Sequence, residues 1–208
     1  MANFPKPPTL NDDERAVDIY RKAAKIFRSK GFDATSMGDI AEAVDLTKGG
    51  LYYYIKGKEA LLFAIMSFAM SSLETRVVHP ASAVTDPEER LARMIAAHVL
   101  LALDEPAPML VLADEDEGLN AQHRGQMRER KAKYSAAFRE SIEGVLQNHP
   151  ELRRDPKVAT EVILSLVGGV VRWFDPAAGI KREEVIRQVQ EMGLDAVRGS
   201  QGHARAVA

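Results

Sequence analysis

Residues Thr35 to Lys58 read T-S-M-G-D-I-A-E-A-V-D-L-T-K-G-G-L-Y-Y-Y-I-K-G-K, and no other stretch limits the fold so tightly. Thr35 and Ser36 suit a helix start, and Ser36 with Asp39 approximates a capping box. Met37, Ile40, Ala41 and Val44 then fall at i, i+3, i+4 and i+7, one apolar face on a short helix. Asp45 and Leu46 make a turn, where Asp tolerates a left-handed backbone. Thr47 is the natural N-cap of a second helix, Gly49-Gly50 keeps its first turn slim, and Leu51 and Ile55 anchor it.

That leaves Thr47, Lys48, Tyr52, Tyr53 and Lys58 facing outward. Two short helices joined by a tight turn, the second carrying hydroxyls, tyrosines and lysines, suit a helix-turn-helix laid against a DNA duplex. Hydroxyls, lysines and backbone N–H groups bind phosphate oxygens, and a slim first turn lets the backbone approach the major groove. The bland alternative is a helical hairpin with a solvated face. Three consecutive tyrosines, Tyr52 to Tyr54, fit poorly on a face without a partner. The candidate DNA contacts are Thr35, Thr47, Lys48, Gly49, Gly50, Tyr52, Tyr53 and Lys58.

Glu14 to about Met66 resembles the N-terminal domain of TetR-family transcriptional regulators. Ile19-Tyr20-Arg21-Lys22-Ala23-Ala24-Lys25-Ile26-Phe27, with Gly31-Phe32, looks like that family's first helix. Thr47 to Tyr54 and Lys58-Glu59-Ala60-Leu61 look like its recognition helix and the start of helix four. Asp45, Ile55 and Gly50 depart from the residues the family usually carries there. Gly50 removes one side chain that would otherwise reach a base, which bears on sequence specificity.

Composition narrows the mode of binding. The 28 Lys and Arg stand against 30 Asp and Glu, for a formal net charge of −2. Residues 1–60 are almost balanced, so DNA binding has to rely on local placement of charge rather than bulk attraction. The absence of cysteine excludes disulfides, thiol catalysis and Cys-ligated zinc. The first residues lack the apolar core of a signal peptide, and the run Ala60 to Met70 is short for a bilayer span. A cytoplasmic protein without membrane contact is the expectation.

Every strong signal further along is helical. A first helix is expected from about Asp13 to Lys30, with Arg21, Lys22, Lys25 and Arg28 on one side, either solvated or near phosphate. A fourth runs from Lys58 to about Val77 and ends at His79-Pro80. Asp86-Pro87 and Asp155-Pro156 are N-cap signals with Pro at the first helical position. Helices follow over about 87–104, 108–117, 120–147, 156–174 and 182–198. The fold class is therefore all-α: an N-terminal arm and helix-turn-helix DNA-binding domain over 1–60, and a helical effector-binding and dimerisation domain over 61–208.

A single helix-turn-helix reads few bases, and two copies about 34–36 Å apart reach successive major grooves. Val158, Val162, Leu166 and Gly168-Gly169-Val170, with Val185, Val189 and Met192, form either a dimer seam or the monomer core, since periodicity fits both. Met94, His98, Met109 and Leu112 are candidates for an apolar effector pocket, although His98 also fits a hydrogen-bonded core histidine. Arg172 and Trp173 are either a packed helix end or a place for ring stacking and phosphate pairing. The run Arg172 to Pro176 looks like a TetR subgroup that senses acyl-coenzyme A thioesters. That likeness implies phosphate contacts at Arg124, Arg128 and Lys131.

No hydrolase elbow, phosphate-cradling glycine loop or metal-spaced His pair is present, so neither enzyme activity nor a cofactor or metal is expected. The residues together describe a homodimeric repressor, released from a palindromic operator by a small hydrophobic effector, with an acyl-CoA thioester implied by the resemblance. A constitutive or ligand-activated DNA-binding regulator is the alternative they leave open.

Overall fold

A computed structural model describes residues 14–199, and among them there is no strand. The helices are α1 Glu14–Lys30, α2 Met37–Ala43, α3 Lys48–Tyr54, α4 Lys58–Leu73, α5 Pro87–Asp104, α6 Pro106–Asp114, α7 Ala121–Asn148, α8 Pro156–Trp173 and α9 Arg182–Arg198. The N-terminal arm lies outside the described residues.

Helix α4 does not stop at His79-Pro80. It passes through a π-helical turn, Glu74–Val78, and a last turn, His79–Ala81. The wider turn shifts the hydrogen-bond ladder, so that His79 N–H reaches Glu74 O, and Pro80 follows within the helix. The resulting helix Lys58–Ala81, 24 residues long, is long and apolar enough to cross a membrane. In this fold it is a core helix, with 61% of its apolar window buried inside the protein.

The chain folds as two compact units whose limits differ from a cut at residue 60. The first takes in 14–72 and 105–131, the second 73–104 and 132–199. Three places in the chain therefore pass from one unit to the other.

In the first unit, Ile19, Tyr20, Ala23, Ala24 and Phe27 of α1 are buried, as are Ile40 and Ala41 of α2, Val44 at its C-cap and Leu51 of α3. Helix α6 packs on α1. Arg21 Nε donates to Glu105 at 2.9 Å, and Arg28 Nη1 to Asp114 at 2.9 Å. The basic side of α1 thus grips both ends of α6, with Lys22 paired to Asp18. Neither a solvated face nor a phosphate face describes Arg21 and Arg28. Buried His123 places Nδ1 2.7 Å from Glu59 and stacks on Phe63, tying the start of α7 to the start of α4.

In the second unit, α5 packs against α8 and α9. Gly193 lets α9 come close, since a β-carbon there would stand 2.8 Å from Ile95 Cδ1. Asp104 holds both Arg76 and Arg182, which pins the start of α9 to the end of α5. Val170, Val185 and Val189 fill the interior, while Val158, Val162 and Met192 are exposed. No atom stands within 4 Å of a β-carbon added to Gly168 or Gly169, so these glycines serve no close packing within the chain.

Candidate nucleic-acid interface

Local hydrogen bonds set the turn between α2 and α3. Ser36 Oγ accepts from Asp39 N at 3.1 Å, and Asp39 Oδ2 accepts from Ser36 N at 2.7 Å, closing the capping box. The Asp39 carboxyl is held far below the usual range, first by the Lys30 ammonium and then by Ser36. Asp45 turns the chain at φ +55°, the left-handed conformation the turn requires. Arg15 Nη2 donates to Val44 O at 2.7 Å and braces that turn from α1.

Thr47 caps α3 with its Oγ1 accepting from Gly50 N at 3.0 Å. Leu51 and Ile55 are buried, fixing the helix by its inner side. The outer side carries Lys48, Tyr52 and Tyr53, with Tyr52 44% and Tyr53 86% exposed. The Tyr53 and Tyr54 rings meet edge-on at 5.4 Å. A β-carbon at Gly50 would press on Thr47 Oγ1 at 3.2 Å, so the cap itself favours glycine there. At Gly49 such an atom would meet nothing within 4 Å. Packing within the chain therefore does not account for the bare backbone at Gly49.

Two expected contacts are corrected. Thr35 is 2% exposed and donates its hydroxyl to Gly31 O at 2.7 Å, because it closes the loop after α1. Lys58 donates to Phe32 O at 2.7 Å and Asp33 O at 3.0 Å, with its ammonium 4.5 Å from the Phe32 ring centroid. It clamps the loop after α1 to the start of α4. Lys56, two residues earlier, is exposed and lies outside the contacts expected from the sequence. Its place directly after α3 is the signal that would have found it. Tyr54, 37% exposed, is likewise absent from that expected set.

The expected pocket residues do not gather in one unit. Met94 and His98 are buried in the second unit, Met109 and Leu112 in the first. Trp173 is 55% exposed at the end of α8, and Arg172 is exposed beside it, so neither packs into an interior pocket. His98 Nδ1 lies 2.8 Å from Tyr134 Oη, and burial pulls the imidazole down to about 4. Arg124 donates to Leu119 O at 2.8 Å and Lys131 to Asp116 at 2.8 Å. Both are engaged with the loop before α7, and Arg128 is exposed.

Residues 19–65 match the model of bacterial regulatory proteins of the tetR family, and 84–197 match the tetracyclin repressor-like C-terminal domain. The HTH-type transcriptional repressor KstR2 of Mycolicibacterium smegmatis is 24% identical over 97% of this chain and 98% of its own length. The structure of AibR in complex with isovaleryl coenzyme A and operator DNA is 30% identical, with a TM-score of 0.78 over 86% of this chain and 97% of that one. The TetR family regulator PfmR from Thermus thermophilus is 27% identical, with a TM-score of 0.76 over 85% and 96%. The chain belongs to the TetR family of bacterial transcriptional regulators.

Proposed function

We propose that the chain is a homodimeric repressor that binds a palindromic operator through α3 and leaves it when a small hydrophobic effector, with an acyl-CoA thioester as first candidate, enters its helical C-terminal part. The observation that carries the reading is the outer face of α3. Lys48, Tyr52 and Tyr53 stand exposed on a helix fixed by Leu51 and capped by Thr47. Gly49 and Gly50 place bare backbone beside them, and exposed Lys56 supplies a phosphate contact in place of Lys58. A duplex is the partner that would use both the tyrosines and the open backbone at Gly49.

Exposed Val158, Val162 and Met192 support pairing of two copies through α8 and α9. Val158, Ala159, Val162 and Ala196 also line an apolar cavity of about 410 Å³ there. The KstR2 relatives are repressors, and the AibR structure holds isovaleryl coenzyme A together with operator DNA. These support repression and an acyl-CoA effector here, acting in the cytoplasm where the operator lies. Met94 and His98, buried in the second unit, are the proposed ligand contacts, within an effector region over 61–208.

Gel-shift titration of the full chain against fragments of its own genome, repeated with short- and long-chain acyl-CoAs, tests the reading. Operator-specific shifts that an acyl-CoA reverses are expected. Absence of any shift at low salt overturns the DNA reading, and shifts that no acyl-CoA changes overturn that effector class.

A further inference from the structure

His98 narrows the chemistry of the effector. The side chain is 5% exposed on the inner side of α5, among the rings of Tyr134 and Phe138 at 5.8 and 6.5 Å. Its Nδ1 pairs with Tyr134 Oη at 2.8 Å, while its Nε2 is buried with no hydrogen-bond partner. A core histidine with both nitrogens satisfied is therefore not what the fold holds.

Donor and acceptor strengths set the tautomer. A phenol O–H is a stronger donor than a neutral imidazole N–H, and an imidazole nitrogen is a stronger acceptor than a phenol oxygen. Tyr134 therefore donates to Nδ1 across the 2.8 Å contact, and the ring hydrogen sits on Nε2. What remains is an N–H donor in an apolar seam between α5 and α7. One turn earlier, Met94, Ala137 and Ser141 line a cavity of about 170 Å³ together with the polar Ser82, Arg90 and Glu140.

We propose that His98 Nε2–H is the polar anchor of the effector site in the second unit, and that it binds the oxygen of an uncharged carbonyl on an otherwise apolar molecule. The inference rests on the ligand-responsive reading above. A carbonyl oxygen accepts without bringing a hydrogen of its own, which a hydroxyl would leave idle in the same seam. A carboxylate would lose its hydration against a neutral imidazole and gain too little in return. Ketone, ester and thioester share the required chemistry.

The test uses the full chain with ¹⁵N-labelled histidine and follows the imidazole N–H resonances. The probes are octan-2-one, S-ethyl thiooctanoate, octane and octanoate, and His98→Phe assigns the resonance. The ketone, the thioester or both should move the His98 Nε2–H signal, and which of them does so identifies the natural class. Octane and octanoate should leave it in place. His98→Phe should bind the responding probe roughly tenfold more weakly, with octane binding unchanged. No shift with either carbonyl probe, an equal shift with octanoate, or undiminished carbonyl binding by His98→Phe overturns the proposal. The parent spectrum decides even if the variant misfolds. Operator gel shifts run in parallel, because their loss sinks the regulator reading, whereas intact shifts without a carbonyl response sink only this inference.

Discussion

A β-carbon built on Gly118 would stand 2.6 Å from Cδ2 of Leu62, and 2.8 Å from Cε1 of Phe32. The short helical turn Asp116–Gly118 thus lies directly on α4 and on the loop that Lys58 clamps. Ring and branched side chain both face the glycine, and the packing leaves no slack.

Gly118→Ala should destabilise the fold by about 1–3 kcal/mol through overpacking. Urea unfolding of variant and parent measures it. An unchanged midpoint would mean that Leu62 and Phe32 yield easily.

Gly49→Ala should act in opposite senses on folding and binding. The space around Gly49 is open, and alanine favours a helix over glycine by about 1 kcal/mol. Thermal stability should rise while operator affinity falls, because in the proposed DNA-bound arrangement the added methyl stands between α3 and the duplex. A variant that is stabilised and binds as well as the parent removes Gly49 from the interface.

Lys56 and Lys58 should separate cleanly. Lys56→Ala should weaken binding to all sequences and reduce the salt slope of log K by about one. Lys58→Ala should leave that slope unchanged and lower stability instead, since it frees the carbonyls of Phe32 and Asp33. Fluorescence anisotropy over a salt series, with a melting curve for each variant, reads both effects.

Acid should weaken the fold through His98. The unfolded imidazole takes its proton near 6.5, the folded one only at about 4. The unfolded state therefore binds the extra proton across that window, and stability falls as pH drops through it, by up to about 1.4 kcal/mol per pH unit. Above the window the contribution is fully present. His98→Phe should flatten the pH dependence of the urea midpoint between these limits, and equal slopes in variant and parent would contradict it.

Caps were legible in the sequence because each is closed within a few residues. Ser36 with Asp39, Thr47 with Gly50, and Asp155 with the amides of Lys157 and Val158 all formed as expected. The left-handed Asp45 follows from the same local chemistry. Pro80 marks the helix end to within one residue, since a π-helical turn carries the helix through it only as far as Ala81. The remaining surprises come from partners far apart in the chain. Lys58 meets Phe32 from 26 residues away, and Arg21 meets Glu105 across 84. Nothing in a basic side chain says whether a phosphate, water or a distant carbonyl will accept its hydrogen bonds. The outer face of α3 was readable for the opposite reason. Packing among the described residues does not account for its exposed tyrosines or for Gly49.

Helix α4 and helix α7 each contribute residues to both compact units, and α6 with the start of α7 folds with the DNA-reading helices. An engineer wishing to transplant the reading head onto another sensor cannot simply excise the first 72 residues. Such a fragment would lack the acids that hold Arg21 and Arg28, and it would expose the flank of α1. A working graft must carry the 105–131 segment along, so the cassette is discontinuous.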